Sequence, residues 1–156
     1  MLFRSVYRYV SEKVKRNQYF INELINNNNQ FKWHDGSEKF SVATLFYNFA
    51  GDETPLLRLC IMKKQEGKAI IEREYLYDND NQLIYAQEKQ INSEKYAYKN
   101  IQIYFDKSIC INIITDLEIV DINNTNPYRE HFNTLKTEGD GIANSFLIEM
   151  KEEREF

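Results

Sequence analysis

The stretch EREYLYDNDNQLIYAQEKQ, Glu72 to Gln90, decides how the chain is to be read. Two runs of alternating character, rich in Tyr, Leu and Ile, flank a string of Asp and Asn. Alternation with a period of two marks a strand with one face turned to a core. Asp and Asn tolerate the positive φ angles that tight turns demand. The stretch therefore reads as a β-hairpin with Asp78 to Asn81 as its turn. A calcium loop of the EF-hand type fails on chemistry: counted from Asp78, Leu83 stands where the sharp turn needs Gly, and Lys89 where a bidentate acid is required.

Similar runs extend on both sides of the hairpin. From Phe40 to about Val120 the segments KFSVATLFYNF, LLRLCIMKK, KAIIEREYLY, QLIYAQEKQI, KYAYKNIQIYF and ICINIITDLEIV are short, β-branched or aromatic, and separated by Gly, Asp, Asn or Ser. Intervals this brief allow hairpins and leave no room for crossover helices, so the expectation is an antiparallel meander of five or six strands. Glu72 and Glu74 share a strand face with Leu76, while Ile71, Arg73, Tyr75 and Tyr77 share the other. That mixture predicts a sheet partly wet on both sides, not a glycosidase cleft.

The ends of the chain change period. Phe3, Val6, Tyr7, Val10 and Val14 recur at intervals of three and four, as in an amphipathic helix, and Phe20, Ile21, Leu24 and Ile25 continue the pattern until the Asn tract at 26–30 stops it. Beyond Val120, Asn126 and Pro127 predict a helix start, Tyr128, Phe132 and Leu135 its apolar face, and Gly139 its stop. Asp140 then caps a last helix carrying Ala143, Phe146, Leu147 and Met150, although Phe146, Ile148 and Met150 also alternate as in a strand. The expected fold is a single α+β domain over residues 1–156: an N-terminal helix, the meander, and C-terminal helices packed on one face.

Composition narrows the chemistry. The 156 residues carry a formal charge of −4 with acids and bases interleaved, so the basic footprint of a nucleic-acid binder is missing. No apolar run approaches the roughly 18 to 20 residues of a membrane span. The reading is a soluble cytoplasmic protein, or a periplasmic or extracellular one if a leader preceded Met1. Cys60 and Cys110 both sit in apolar runs and read as buried thiols, their pairing left open. No cofactor and no metal site are expected.

Neither histidine has a catalytic setting. His34 precedes Asp35 and Gly36, which reads as a turn. His131 follows Glu130 on a helix, where neighbouring residues point about 100° apart, and a hydrolase would have to assemble it with Glu130 and Asp140. No G-x-S-x-G, H-E-x-x-H or phosphate-binding Gly loop occurs. The one excess is tyrosine in the central strands: Tyr75, Tyr77, Tyr85, Tyr96, Tyr98 and Tyr104. Tyr is a good strand residue and is also enriched in recognition surfaces, so these six are the candidate binding residues.

Two resemblances add to this reading. The aromatic–Asp pairs Tyr77–Asp78 and Phe105–Asp106 look like the strand ends of YD repeats, and the likeness implies hairpins only. The order FRSVYRYV, then IEREYLYDNDNQLIYAQEK, then IQIYFDK is similar to that of small bacterial proteins of unestablished activity, mostly exported, with an N-terminal helix and strands ending in Tyr-Tyr-Asp or Tyr-Phe-Asp. The expectation for function is a non-enzymatic protein-binding module, specifically an immunity protein that masks a cognate toxin. The rival expectations are an exported ligand- or glycan-binding domain and a hydrolase using His131.

Overall fold

The computed structural model describes residues 30–34, 42–49 and 55–154. Seven strands follow one another in chain order and pair antiparallel in that same order: β1 (Gln30–His34), β2 (Val42–Phe49), β3 (Pro55–Glu66), β4 (Ala69–Tyr77), β5 (Leu83–Ile91), β6 (Asn100–Asp106) and β7 (Ile109–Thr115). A 3-10 turn at Asn126–Tyr128 leads into one helix, α1 (Arg129–Arg154).

The meander is set by local turn chemistry. Between β3 and β4 the turn needs only Gly67 and Lys68, with Gly67 at a φ of 61°, a conformation that costs Gly almost nothing. Between β6 and β7 the turn is Lys107 and Ser108, at φ of 49° and 69°. The β4–β5 turn does more than reverse the chain. Asp78 Oδ1 accepts from the backbone N–H of Asp80 at 2.8 Å and of Gln82 at 3.0 Å, and Asn81 takes a φ of 57°. From there Asn81 Oδ1 accepts the backbone N–H of Leu57 at 2.7 Å, and Asn79 Oδ1 accepts from Arg58 at 2.6 Å. The turn is thus tied to the neighbouring strand β3.

The two sheet faces have different fates. Leu57, Cys60, Tyr75, Tyr77, Ala86, Ile101, Ile103, Phe105 and Ile113 form a core with Leu135, Ile142, Ala143, Phe146 and Met150 of α1. Each large side chain so buried contributes about 1.5–3 kcal/mol. The opposite face holds a smaller buried cluster of Phe46, Leu59, Leu76, Ile84, Tyr85 and Ile111.

The structure corrects the expected fold. Seven strands, not five or six, are present among the described residues, because Gln30 to His34, assigned to a helix end and a turn, pair with β2. The C-terminal segment forms one continuous helix of 26 residues, where two were expected. Gly139 lies inside it and not at its end, since the helix comes so close to the sheet there that a Cβ would stand 2.8 Å from Leu83 Cδ2 and 3.0 Å from Tyr75 Cδ1. Close approach outweighs the usual helix-ending tendency of glycine. Tyr96 and Tyr98 precede β6 in a loop and are not strand residues. The amphipathic helix expected near the N-terminus falls outside the described residues.

Two glycines two positions apart test this packing. Gly141→Ala, with open space around the new methyl, is expected to raise stability by about 0.5–1 kcal/mol, the intrinsic helix advantage of Ala. Gly139→Ala is expected to lower it by about 1–3 kcal/mol through overpacking. Urea midpoints of the two variants should move in opposite directions. In the hairpin, Asn81→Gly keeps the left-handed backbone and loses the side-chain bond to Leu57, so it should cost roughly 1 kcal/mol. Asn81→Ala loses both and should cost clearly more in the same measurement.

Candidate functional site

Pairing register brings charge into the interior. A one-residue bulge at Leu76/Tyr77 shifts β5 against β4, so that Arg73 stands opposite Glu88 on the face that α1 covers. Arg73 Nε donates to Glu88 Oε1 at 2.8 Å, and its Nη1 donates to Glu138 Oε2 of α1 at 2.7 Å. The Tyr75 hydroxyl donates to the second Glu138 oxygen at 2.7 Å. On the other side of Glu88, Gln90 Nε2 donates to Oε2 at 2.7 Å, and His131 Nε2 meets the same oxygen in a close ion pair. His131 Nδ1 is hydrogen-bonded to the Tyr98 hydroxyl at 2.8 Å. Tyr96 stacks on the imidazole with ring centres 4.4 Å apart and planes within 8°.

The centre of the cluster is sealed. Glu88 is 2% exposed and His131 3%. Burial pushes the Glu88 carboxyl up, but the contact with His131, the charge of Arg73 and the amide of Gln90 outweigh it and hold it at about 2. For Arg73, burial favours loss of the proton, and Glu138, Tyr75 and Glu88 together overcome it, so the guanidinium is held above its ordinary value. Burial and then the Glu138 carboxylate raise the Tyr75 hydroxyl well above the usual range. His131 Nε2 is matched only by its ion pair with Glu88, and Gln90 Oε1 is buried without a hydrogen-bond partner among the described residues.

The six tyrosines named from sequence do not line one surface. Tyr75 and Tyr77 are fully buried beneath α1, with the Tyr77 hydroxyl donating to the Gly139 carbonyl at 2.6 Å. Tyr98 is buried and Tyr96 half-buried against His131. Tyr85 and Tyr104 meet edge to face at 5.1 Å on the opposite side of the sheet. His131, Glu130 and Asp140 are not brought together: His131 points into the core, Glu130 is exposed, and Asp140 accepts from Lys136 at 2.8 Å. His34 ends β1, where a turn was expected. Cys60 is buried and Cys110 half-buried, and both are free thiols; burial raises each, Cys110 to about 11.

An open surface lies on the far side of the sheet. Next to the buried cluster of that face, Ile61, Lys63, Glu72, Glu74, Gln87 and Lys89 line a shallow groove of about 240 Å³. Register places Lys63, Glu72 and Lys89 in one row across three strands, and Ile61, Glu74 and Gln87 in the next. Ile61 is 41% exposed there. Burial raises the Glu74 carboxyl, with Lys89 acting against it.

The Arg73–Glu88–His131–Glu138 cluster was not read from the sequence. Its members lie up to 65 positions apart, and Arg73 meets Glu88 only because of the bulge. A signal was present nonetheless: Glu88 and Gln90 continue the inward set begun by Ala86, and polar side chains at inward positions require buried partners. Among the described residues no group of three or more His, Cys, Asp or Glu is placed to hold a metal, and no helix is long and apolar enough to cross a membrane. Comparison with family models, curated proteins and solved structures finds no match to this chain.

The depressed Glu88 carboxyl fixes a pH dependence. Its folded value lies near 2 against an ordinary value of 4.5, so the folded state binds its proton less readily than the unfolded chain does. The stabilisation is complete above pH 4.5 and is lost as pH falls toward 2, a change of roughly 3 kcal/mol. Glu88→Gln should flatten that limb of the stability curve. It should also destabilise the protein at pH 7 by about 3–5 kcal/mol, because Arg73 and His131 lose a buried partner. Urea unfolding of both proteins across pH 2–7 checks the sign and the window.

Proposed function

We propose that the chain is a non-enzymatic protein-binding module of the immunity type, which holds a cognate toxin on the open half of its sheet. The observation that carries this reading is the division of labour among charged side chains. Under α1, Arg73, Glu88, His131 and Glu138 are spent on one another. On the open face, Lys63, Glu72 and Lys89 alternate in charge along one row of a shallow groove, with Glu74 in the next row. Protein interfaces are shallow and recognise partners through complementary charge, whereas small-molecule enzyme sites are deep and enclosed. The net charge of −4 favours a basic partner through long-range attraction.

The test is co-expression with the product of the adjacent gene, followed by capture on the tagged chain. The expected outcome is a stable complex with that product and relief of its toxicity. Glu72→Lys, which turns the Lys63–Glu72–Lys89 row into three like charges, should weaken the complex about tenfold or more while leaving the thermal midpoint within a few degrees. Absence of a complex with a neighbouring toxin, or a complex indifferent to Glu72→Lys, would sink the reading.

A further inference from the structure

A second cavity, on the α1 side of the sheet, is used by none of the contacts described so far. It measures about 170 Å³ and is lined by Cys110, Ile113, Thr125, Arg129, Phe132 and Asn133. Phe132 is braced by Phe105 at 5.6 Å, and Ile113 is buried in the core, so the apolar wall is fixed in place. The rim differs from its surroundings in having polar groups to spare. Thr125 makes no side-chain cap to the turn it precedes. Neither the Arg129 guanidinium nor the Asn133 amide has a side-chain partner among the described residues. Nearby polar groups are committed: Thr134 bonds to the Glu130 carbonyl, Lys136 to Asp140, and Tyr128 to Glu118.

We propose that this cavity binds a small carboxylate with one apolar ring. The volume decides the size, since an apolar cavity of about 150 Å³ takes up one benzene ring and drug-sized ligands require roughly 300 Å³ or more. The wall of Ile113, Phe132 and Cys110 selects an apolar body. The uncommitted guanidinium at the mouth selects a carboxylate, whose two oxygens match its donor fork, with Thr125 and Asn133 free to donate to the same group. Because the chain is acidic overall, capture of an anion depends on this local cation and not on the general field.

The experiment is a titration of the full chain followed by heteronuclear NMR, with benzoate as the probe. Benzoate is expected to give saturable shifts at Phe132, Ile113 and Cys110. Benzyl alcohol, which lacks the charge, and acetate, which lacks the ring, should each bind about tenfold more weakly. Arg129→Gln removes an exposed side chain with no structural bond, so the fold should persist while benzoate affinity falls about tenfold. Non-saturable shifts, or equal benzoate affinity in Arg129→Gln, would overturn the proposal. The cavity and the groove lie on opposite faces of the sheet, so either outcome is separable from toxin binding.

Discussion

One carboxylate holds the sheet and the helix to each other. Glu88 sits on a central strand beneath α1 and accepts from Arg73 and Gln90 while pairing with His131. Arg73 passes the connection on to Glu138, one and a half to two turns further along the same helix. Helix α1 is thereby gripped at two points, His131 and Glu138, through a single charged bridge on the sheet. A buried charge is costly unless paired and hydrogen-bonded, and the low value of the Glu88 carboxyl shows that here the partners prevail over burial. Apolar packing of Leu135, Ile142 and Phe146 supplies attraction without direction. The bridge supplies register.

That constraint explains the remaining features of the helix side. With His131 and Glu138 set over β4 and β5, position 139 falls directly against the sheet, and a side chain there would crowd Leu83 and Tyr75. The Gly139 carbonyl then receives the Tyr77 hydroxyl, which satisfies a buried donor that would otherwise be orphaned. Tyr96 and Tyr98 close the end of the cluster by stacking and hydrogen bonding to His131. Four of the six candidate tyrosines, Tyr75, Tyr77, Tyr96 and Tyr98, therefore belong to the helix side of the sheet. Among the described residues, the charged half of the opposite face stays open.

Legibility in the sequence followed the range of the interactions involved. The hairpin with its turn at Asp78 to Asn81 and most of the strands were readable because alternation and turn residues are local. Helix α1 was split in two by Gly139, because the reason for that glycine lies in Leu83 and Tyr75, more than fifty residues away. Strand β1 was missed because Gln30 to His34 lacks the aliphatic character of its neighbours and gains its conformation by pairing with β2. The Glu88 cluster was hidden by the bulge at Leu76/Tyr77: the register of Tyr77 and Leu83, continued unbroken along the same sequence, would set Arg73 opposite Gln87, and inward and outward positions would exchange.

The most direct measurement of the central claim is a double-mutant cycle between Glu88 and His131, with Glu88→Gln, His131→Asn and the double variant compared by urea unfolding at pH 6. Residues that share one buried network couple by about 0.5–3 kcal/mol, and the geometry places this pair at the upper half of that range. A coupling near 2 kcal/mol, accompanied by faster hydrogen exchange of the α1 amides around 131–138 in each single variant, is the expected result. Additive losses, with exchange along α1 unchanged, would contradict the account.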